Sequence, residues 1–282
     1  GSPAASTRAT GSACARRSDA AGLVSSRAMT AAFFPAQDEV RQWLQDAAHI
    51  AMLTGAGVSA ESGVPTFRDA QTGLWANFRA EDLATEAAFR RDPQRVWDWY
   101  AERRANMVHV QPNAGHHAVA AFQQRHPGRL TLATQNVDGL HQKAGSPEVL
   151  ALHGNIFDDQ WLDPCALARR PQDGCHVAQA QPGRPPRCGQ CGNLLRPAVV
   201  WFGEMLPMAA LAAAEQAAER CDVMLVVGTA GAVYPAAGLA HQARAAGARV
   251  VIVNPHPSEL DDIAHRVLAG TSAQVLPQLL DF

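Results

Sequence analysis

Short apolar runs punctuate the chain at His49–Leu53, Leu130–Ala133, Val149–Leu152, Val199–Phe202, Val223–Val227 and Val250–Val253, each bounded by turn-forming residues. They are too short for helices and do not alternate with polar residues, the pattern of strands covered on both faces. Helical spacing occupies 38–47, around Trp43 and Leu44, and 114–125, which follows the start signal Pro112-Asn113. This order predicts an α/β fold with a doubly wound parallel sheet. Two stretches break the alternation. Residues 70–110 are charged and aromatic, with Trp75, Trp97, Trp99 and Tyr100, and read as helices without strands. Residues 155–195 are rich in Pro, Arg and Cys, with Pro182-Gly183-Arg184-Pro185-Pro186 as loop. The expected organisation is a disordered extension over 1–35 and one catalytic domain over 36–282. Its sheet core takes residues 36–70, 110–154 and 196–282, and a smaller inserted module takes 71–109 and 155–195.

Val223–Ala240 is uncharged for 18 residues, but Gly228, Gly231, Pro235 and Gly238 interrupt it, so it reads as strand, turn and helix start rather than a membrane span. The 282 residues are 47% hydrophobic and 18% charged with a net charge of −2, which gives no electrostatic basis for binding nucleic acid or an anionic membrane. A cytoplasmic monomer is expected. Residues 1–30 carry Arg8, Arg16, Arg17 and Arg27 with Asp19 as the only acid, a composition shared by organelle transit segments, so a mitochondrial location is the alternative. Six cysteines, two of them in Cys188-Gly189-Gln190-Cys191, suggest metal binding or reduced thiols before a disulfide framework.

The chemistry lies in the stretches that follow the strands. After His49–Leu53, Gly55-Ala56-Gly57-Val58-Ser59-Ala60 fits the dinucleotide phosphate turn, in which small residues let backbone approach a pyrophosphate. An ordinary hydride-transfer enzyme would place a ribose-binding acid after a second strand some 20 residues on. Gln71-Thr72-Gly73-Leu74-Trp75 stands there instead. Gly63, Pro65 and Phe67-Arg68-Asp69 arrive where a stiff helix would run. After Leu130–Ala133, the polar side chains of Gln135, Asn136 and Asp138 are placed to enter the ligand crevice. His153, at the end of another short strand and followed by Gly154, suits a general base near neutral pH.

Taken in order, Gly55–Asp69, Thr134–Asp138, His153-Gly154, Val199–Glu204 and Gly228-Thr229 resemble the successive signature blocks of the sirtuin family, from about residue 40 to the end of the chain. The resemblance implies a Rossmann-like core with a helical, zinc-ribbon-like insertion. It also implies an NAD-consuming protein-lysine deacylase that yields nicotinamide, O-acyl-ADP-ribose and free lysine, with an acyl-lysine protein or peptide as partner. On it, Gly55, Ala56, Gly57, Ser59, Thr66, Phe67, Arg68, Gln135, Asn136, Asp138, Gly228, Thr229, Asn254 and Ala273 surround NAD. Asn136 and Asp138 would hold the nicotinamide amide and its ribose, and His153 would take a ribose hydroxyl proton. Val200, Phe202, Gly203 and Glu204 would receive the peptide along an extended edge, with Val200 and Phe202 packed inward. A protein ADP-ribosyltransferase, or an NAD-binding module without turnover, are the alternative functions.

Within the family, Tyr100-x-x-Arg103 resembles the pair that marks removal of succinyl, malonyl or glutaryl groups alongside acetyl; Arg104 is the competing cation. Two departures stand out. The family's first C-x2-C pair is missing, with Trp161 and Pro164 near its place, which leaves Cys165 and Cys175 to join Cys188 and Cys191 in any four-thiolate zinc site. Ala230 stands where a serine usually follows Gly228-Thr229.

Overall fold

The structure is a computed structural model and describes residues 1, 35–65, 83–165 and 175–282. Nearly all of the expected extension, and Thr66, Phe67, Arg68, Asp69 and Trp75, therefore lie outside the described residues.

A helix over 35–46 (α1) leads into β1 (Ile50–Thr54), which becomes the centre of the molecule. The sheet has six strands in the order β10-β9-β8-β1-β2-β3, and every pairing in it is parallel. Its other members are β2 (Leu130–Thr134), β3 (Leu150–Ala151), β8 (Val223–Val227), β9 (Arg249–Val253) and β10 (Arg266–Leu268). From β1 the chain builds outward through β2 and β3, then returns to the other side for β8, β9 and β10. The order thus reverses between β1 and β8, and a crevice opens there beyond the carboxyl ends of the strands.

Period-two alternation of the strands feeds two cores. Ile50 and Met52 of β1, Leu225 and Val227 of β8 and Val251 and Val253 of β9 face one side, against α1, α4 (Ala114–Arg125) and α8 (Ser272–Leu280). Ala51 and Leu53, Met224 and Val226, and Val250 and Ile252 face the other, against α6 (Met208–Arg220) and α7 (Gly238–Ala245). Burial on both faces explains why the strands read as unbroken apolar runs. α6 is alanine-rich, which favours helix and lets it sit close to the sheet. α4 begins at a capping box in which the Asn113 side chain accepts from the His116 amide and the His116 ring accepts from the Asn113 amide.

The inserted module has its own core. Leu83, Phe89 of α2 (Glu86–Arg91), Val96 and Tyr100 of α3 (Pro93–Met107), Ile156 of β4 (Gly154–Trp161), Val199 of β7 (Leu195–Val199) and Trp201 pack together. Two readings are corrected here. The strand expected over Val199–Phe202 lies earlier, as β7, and pairs antiparallel with β4 in a separate two-stranded sheet. The residues after it turn away, with Trp201 2% exposed and Phe202 48% exposed, so tryptophan rather than phenylalanine points inward. The stretch over 155–195 is also less irregular than its composition suggested, since it contains most of β4 and the small hairpin of β5 (Ala180–Gln181) and β6 (Arg187–Cys188).

Candidate active site

Four loops meet at the crevice, following Thr54, Thr134, Val227 and Val253 at the carboxyl ends of β1, β2, β8 and β9. The first continues as a 3-10 turn over Ala56–Ser62 and stops at Gly63, whose φ of 88° suits glycine. No long helix therefore leaves the phosphate turn, as far as the described residues run to Pro65. The Gly55 amide donates to Val227 O at 3.0 Å and the Gly57 amide to Gly228 O at 2.7 Å. A Cβ on Gly57 would come within 2.8 Å of Gly228, and one on Gly228 within 2.3 Å of the Val58 nitrogen. The glycines here let two turns interlock, and their own amides are spent on that contact.

Beneath the turn lies a buried polar cluster. Ser59 Oγ donates to Asp138 Oδ2 at 2.7 Å and accepts from Asn136 Nδ2 at 3.1 Å. His116 Nδ1 accepts from the Asn113 amide, so Nε2 carries the hydrogen that faces Ser59 Oγ at 3.4 Å. Asp138 also accepts from the Leu140 amide, at 2.9 Å. Burial raises the Asp138 pKa above 3.8, and the Leu140 and Ser59 bonds oppose that rise. On the far side, Thr54 Oγ1 donates to Thr134 Oγ1 at 2.8 Å and lies 3.0 Å from His141 Nε2, tying β1 to β2 and to the helix that follows Asp138. Burial holds both histidines neutral, with pKa values lowered to about 4 for His116 and about 3 for His141.

His153 reaches this group through the main chain. Its Nδ1 lies 2.9 Å from Gln135 O. A carbonyl only accepts, so Nδ1 bears the hydrogen and the neutral ring keeps a lone pair on Nε2. Burial lowers its pKa below 6.5, opposed by the Gln135 bond, which leaves an unprotonated base at neutral pH. Gly154, with φ of 80°, lets the start of β4 lie close against β7; a Cβ there would meet Ala198 O at 2.0 Å. His153 is thus bonded to the main chain of Gln135, next in the chain to Asn136, whose side chain shares Ser59 with Asp138.

Of the other predicted cofactor residues that are described, Thr229, Asn254 and Ala273 are bonded to neighbours of the same loops. Gln135 Nε2 donates to Thr229 Oγ1 at 3.2 Å, and Asn254 Nδ2 to Thr229 O at 3.1 Å. The Ala273 amide donates to Glu61 Oε2 at 3.0 Å, and neighbouring Ser272 Oγ to Val58 O at 3.1 Å, which fastens the start of α8 to the phosphate turn.

A second group lies under α3. Tyr100 and Arg103 share one face of that helix, and Arg103 Cζ sits 4.8 Å from the centre of the Trp99 ring. Trp201 Nε1 donates to Tyr100 Oη at 3.0 Å. Burial pushes the tyrosine pKa up to about 12, so it stays a phenol. Burial also lowers the Arg103 pKa below the usual arginine range, while the neighbouring Tyr100 favours the charge. Arg104 is committed elsewhere: its guanidinium donates to Ile156 O, to Asp158 O at 3.0 Å and to Asp159 Oδ1 at 2.6 Å. The Val200 amide donates to His153 O at 2.8 Å, linking this group to the crevice. Glu204, expected at a peptide-binding edge, turns inward instead and pairs with Arg196 through both carboxylate oxygens. Gly203 stands beside it with φ of 88°, so this segment is a turn and not an extended strand.

The cysteines converge as well. Cys175 Sγ lies 2.9 Å from Cys165 Sγ and 3.3 Å from Cys191 Sγ, and the ligand atoms of these three lie within 4.8 Å of one another. Cys188 interacts with the Cys175 and Cys191 thiols. Three thiols gathered without a C-x2-C on one side could hold zinc, and Cys188, three residues before Cys191, is the candidate fourth ligand. Trp161 Nε1 donates to Cys175 O at 2.7 Å and braces the missing side.

Sequence reasoning missed His116, His141, Arg196 and Trp201. Asn113 and His116 stand at capping-box spacing, which is a readable signal. Arg196 carries none, because its partner is fixed only by the turn after β7.

Residues 55–235 match the family described as the Sir2 family. The chain is 57% identical over 253 residues to an NAD-dependent protein deacylase of Ralstonia nicotianae, covering 90% of this chain and 98% of that protein. It is 47% identical over 250 residues to an NAD-dependent protein deacylase of Methylococcus capsulatus, covering 86% and 95%. Among solved structures, a Sir2 homologue in complex with NAD superimposes with a TM-score of 0.74 at 41% identity, over 86% of this chain and 92% of that one. A Sir2–p53 peptide–NAD+ complex does so with a TM-score of 0.70 at 30% identity, over 85% and 95%.

Proposed function

The chain belongs to the Sir2 family and is an NAD-dependent protein deacylase; from that premise we propose that its acyl pocket selects lysines carrying an acidic acyl group, succinyl or malonyl, ahead of acetyl. NAD enters as a co-substrate and supplies an electrophilic sugar carbon. The chain's own residues do the rest. Asn136 and Asp138, held in register by Ser59, orient the nicotinamide end and its ribose. His153 Nε2 takes the proton of a ribose hydroxyl, its tautomer set by Gln135 O. Thr229, Gln135 and Asn254 shape the rim for the adenosine half, with the phosphate turn between them. Zinc, held by Cys165, Cys175, Cys188 and Cys191, would fix the inserted module and leave no coordination position open for chemistry.

One observation carries the acidic-acyl reading: the bond from Trp201 Nε1 to Tyr100 Oη at 3.0 Å. An indole N–H only donates, so the phenol oxygen is engaged as an acceptor and its own hydrogen is left to give. Arg103 on the same helical face has donors and no acceptor. A wall made of a committed hydroxyl donor and a guanidinium favours a group that only accepts, namely a carboxylate. An acetyl methyl gains nothing from it.

The test is NAD-dependent nicotinamide release from acetyl-, malonyl-, succinyl- and glutaryl-lysine peptides. The acidic acyl groups should turn over with higher kcat/KM than acetyl. Arg103→Met should lower kcat/KM for the succinyl peptide at least roughly 30-fold more than for the acetyl peptide, as expected when a buried charge pair loses one partner. Equal losses on both peptides would remove Arg103 from acyl recognition.

A further inference from the structure

Trp201 is held by a pair of charged side chains that the acyl-recognition reading has not used. Arg196 is buried, with its side chain 5% exposed, and its guanidinium stacks on the Trp201 ring at 3.4 Å. Its two terminal nitrogens meet both oxygens of Glu204, and Nη2 also donates to Val199 O at 2.7 Å. Glu204 Oε2 in turn accepts the Trp201 amide at 2.8 Å. Phe89 lies 5.3 Å from the indole, ring centre to ring centre. The pair thus grips Trp201 twice, by its backbone through the carboxylate and by its ring through the guanidinium.

An ion pair taken out of water contributes little net stability, and apolar side chains of similar volume commonly do as well. What the pair does supply is a fixed orientation. The indole N–H has one partner, Tyr100 Oη, and that bond decides which way the phenol can give its hydrogen. We propose that Arg196 and Glu204 are positioning residues for acyl selection, acting through Trp201 to present Tyr100 as a donor toward the acyl carboxylate. The proposal rests on the acidic-acyl reading and assigns its specificity to a clamp outside the pocket wall.

Trp201→Phe keeps an aromatic ring under Arg196 and deletes the N–H. The kcat/KM ratio of succinyl to acetyl peptide should fall roughly tenfold, chiefly through a higher KM for the succinyl peptide, as for loss of one hydrogen bond to a charged-ligand site. Arg196→Lys keeps the charge but loses the flat stack and the fork. It should move the ratio the same way by roughly threefold. The chain has two tyrosines, so ring-labelled tyrosine gives a two-residue NMR spectrum in which the Tyr100 signal should shift in both variants and the Tyr234 signal should stay. Should Trp201→Phe lose its cooperative melt, Arg196→Lys carries the test on the same criteria. A ratio that does not change, or equal losses on both peptides, overturns the clamp. If that happens while Arg103→Met still abolishes selectivity, the acidic-acyl reading survives alone. A wild type indifferent to acyl charge, with Arg103→Met equally indifferent, removes both.

Discussion

The crevice at the carboxyl edge of the sheet and the buried aromatic group under α3, proposed above as the wall of the acyl pocket, are built on opposite plans. Each wall of the crevice is one short stretch that leaves a strand, and its side chains are satisfied by neighbouring stretches of the same edge: Ser59 by Asn136 and Asp138, Gln135 by Thr229, Thr229 by Asn254. The pocket has no such edge. Tyr100 comes from a helix, Trp201 from a turn 101 residues later, and Arg196 from the strand before that turn. The sheet itself places the reacting groups of the crevice, and a separate core places those of the pocket. Chemistry common to a family can therefore reside in the first while acyl preference, under the function proposed above, is set in the second.

The largest expected effect tests whether the crevice alone holds the chemistry. His153→Ala removes the base and leaves the Gln135 and Asn136 loop intact. Deacylation of every acyl peptide should fall by roughly a thousandfold or more, within the range that a positioned general base supplies. NAD binding, followed by calorimetry, should weaken by less than about threefold, on the order of half a kcal/mol. Full activity in this variant would mean that the two regions do not divide the work as described.

Next in size is a stability effect confined to the crevice floor. His116 and His141 both have folded-state pKa values lowered below 6.5, to about 4 and about 3, by burial first and by each ring's histidine neighbour second. Between those values and 6.5 the unfolded chain binds more protons than the folded one, so stability is complete above about pH 6.5 and is lost as the pH falls. Asp138 runs the other way, because its raised pKa lets the folded state take up a proton more readily, and it offsets part of the loss. His116→Gln removes one titrating ring. Denaturant unfolding at pH 7 and pH 4.5 should show a wild-type loss larger than that of the variant by about 2–3 kcal/mol. A variant with the wild-type slope would show that His116 is not held neutral.

The same contrast explains what the sequence could disclose. Strands covered on both faces announce themselves as apolar runs, and the polar or glycine residues that follow them had to lie at the crevice; β1, β2, β3, β8 and β9 were legible for that reason. So were Asn136, Asp138 and His153. Strand β10, only three residues long and half exposed, carries no such run. β4 pairs across a bulge with a strand some forty residues on, and its side of the module is set by tertiary packing rather than by local pattern. Period-two alternation, which points Phe202 inward, fails at this turn, where Trp201 is buried instead. His141 carries no local signal, and the capping-box spacing that makes His116 readable marks a helix start without recording the burial the two rings share.

The smallest expected effect settles which of two adjacent arginines belongs to the pocket. Residues one apart on a helix point about 100° apart, so Arg103 and Arg104 cannot serve the same surface. Arg104 donates to the Ile156 and Asp158 carbonyls and pairs with Asp159 at 2.6 Å, which staples α3 to β4. Its side chain is 20% exposed and that of Asp159 26%, so the pair is partly screened by solvent and contributes about 1 kcal/mol. Arg104→Gln should therefore cost about 1 kcal/mol in denaturant unfolding while the succinyl-to-acetyl ratio stays within about twofold of the wild type. Arg103→Met should give the reverse, a large change in ratio beside a modest change in stability. If Arg104→Gln instead collapsed the ratio, the staple would be the acyl-reading cation, and the stack of Arg103 on Trp99 would be packing alone.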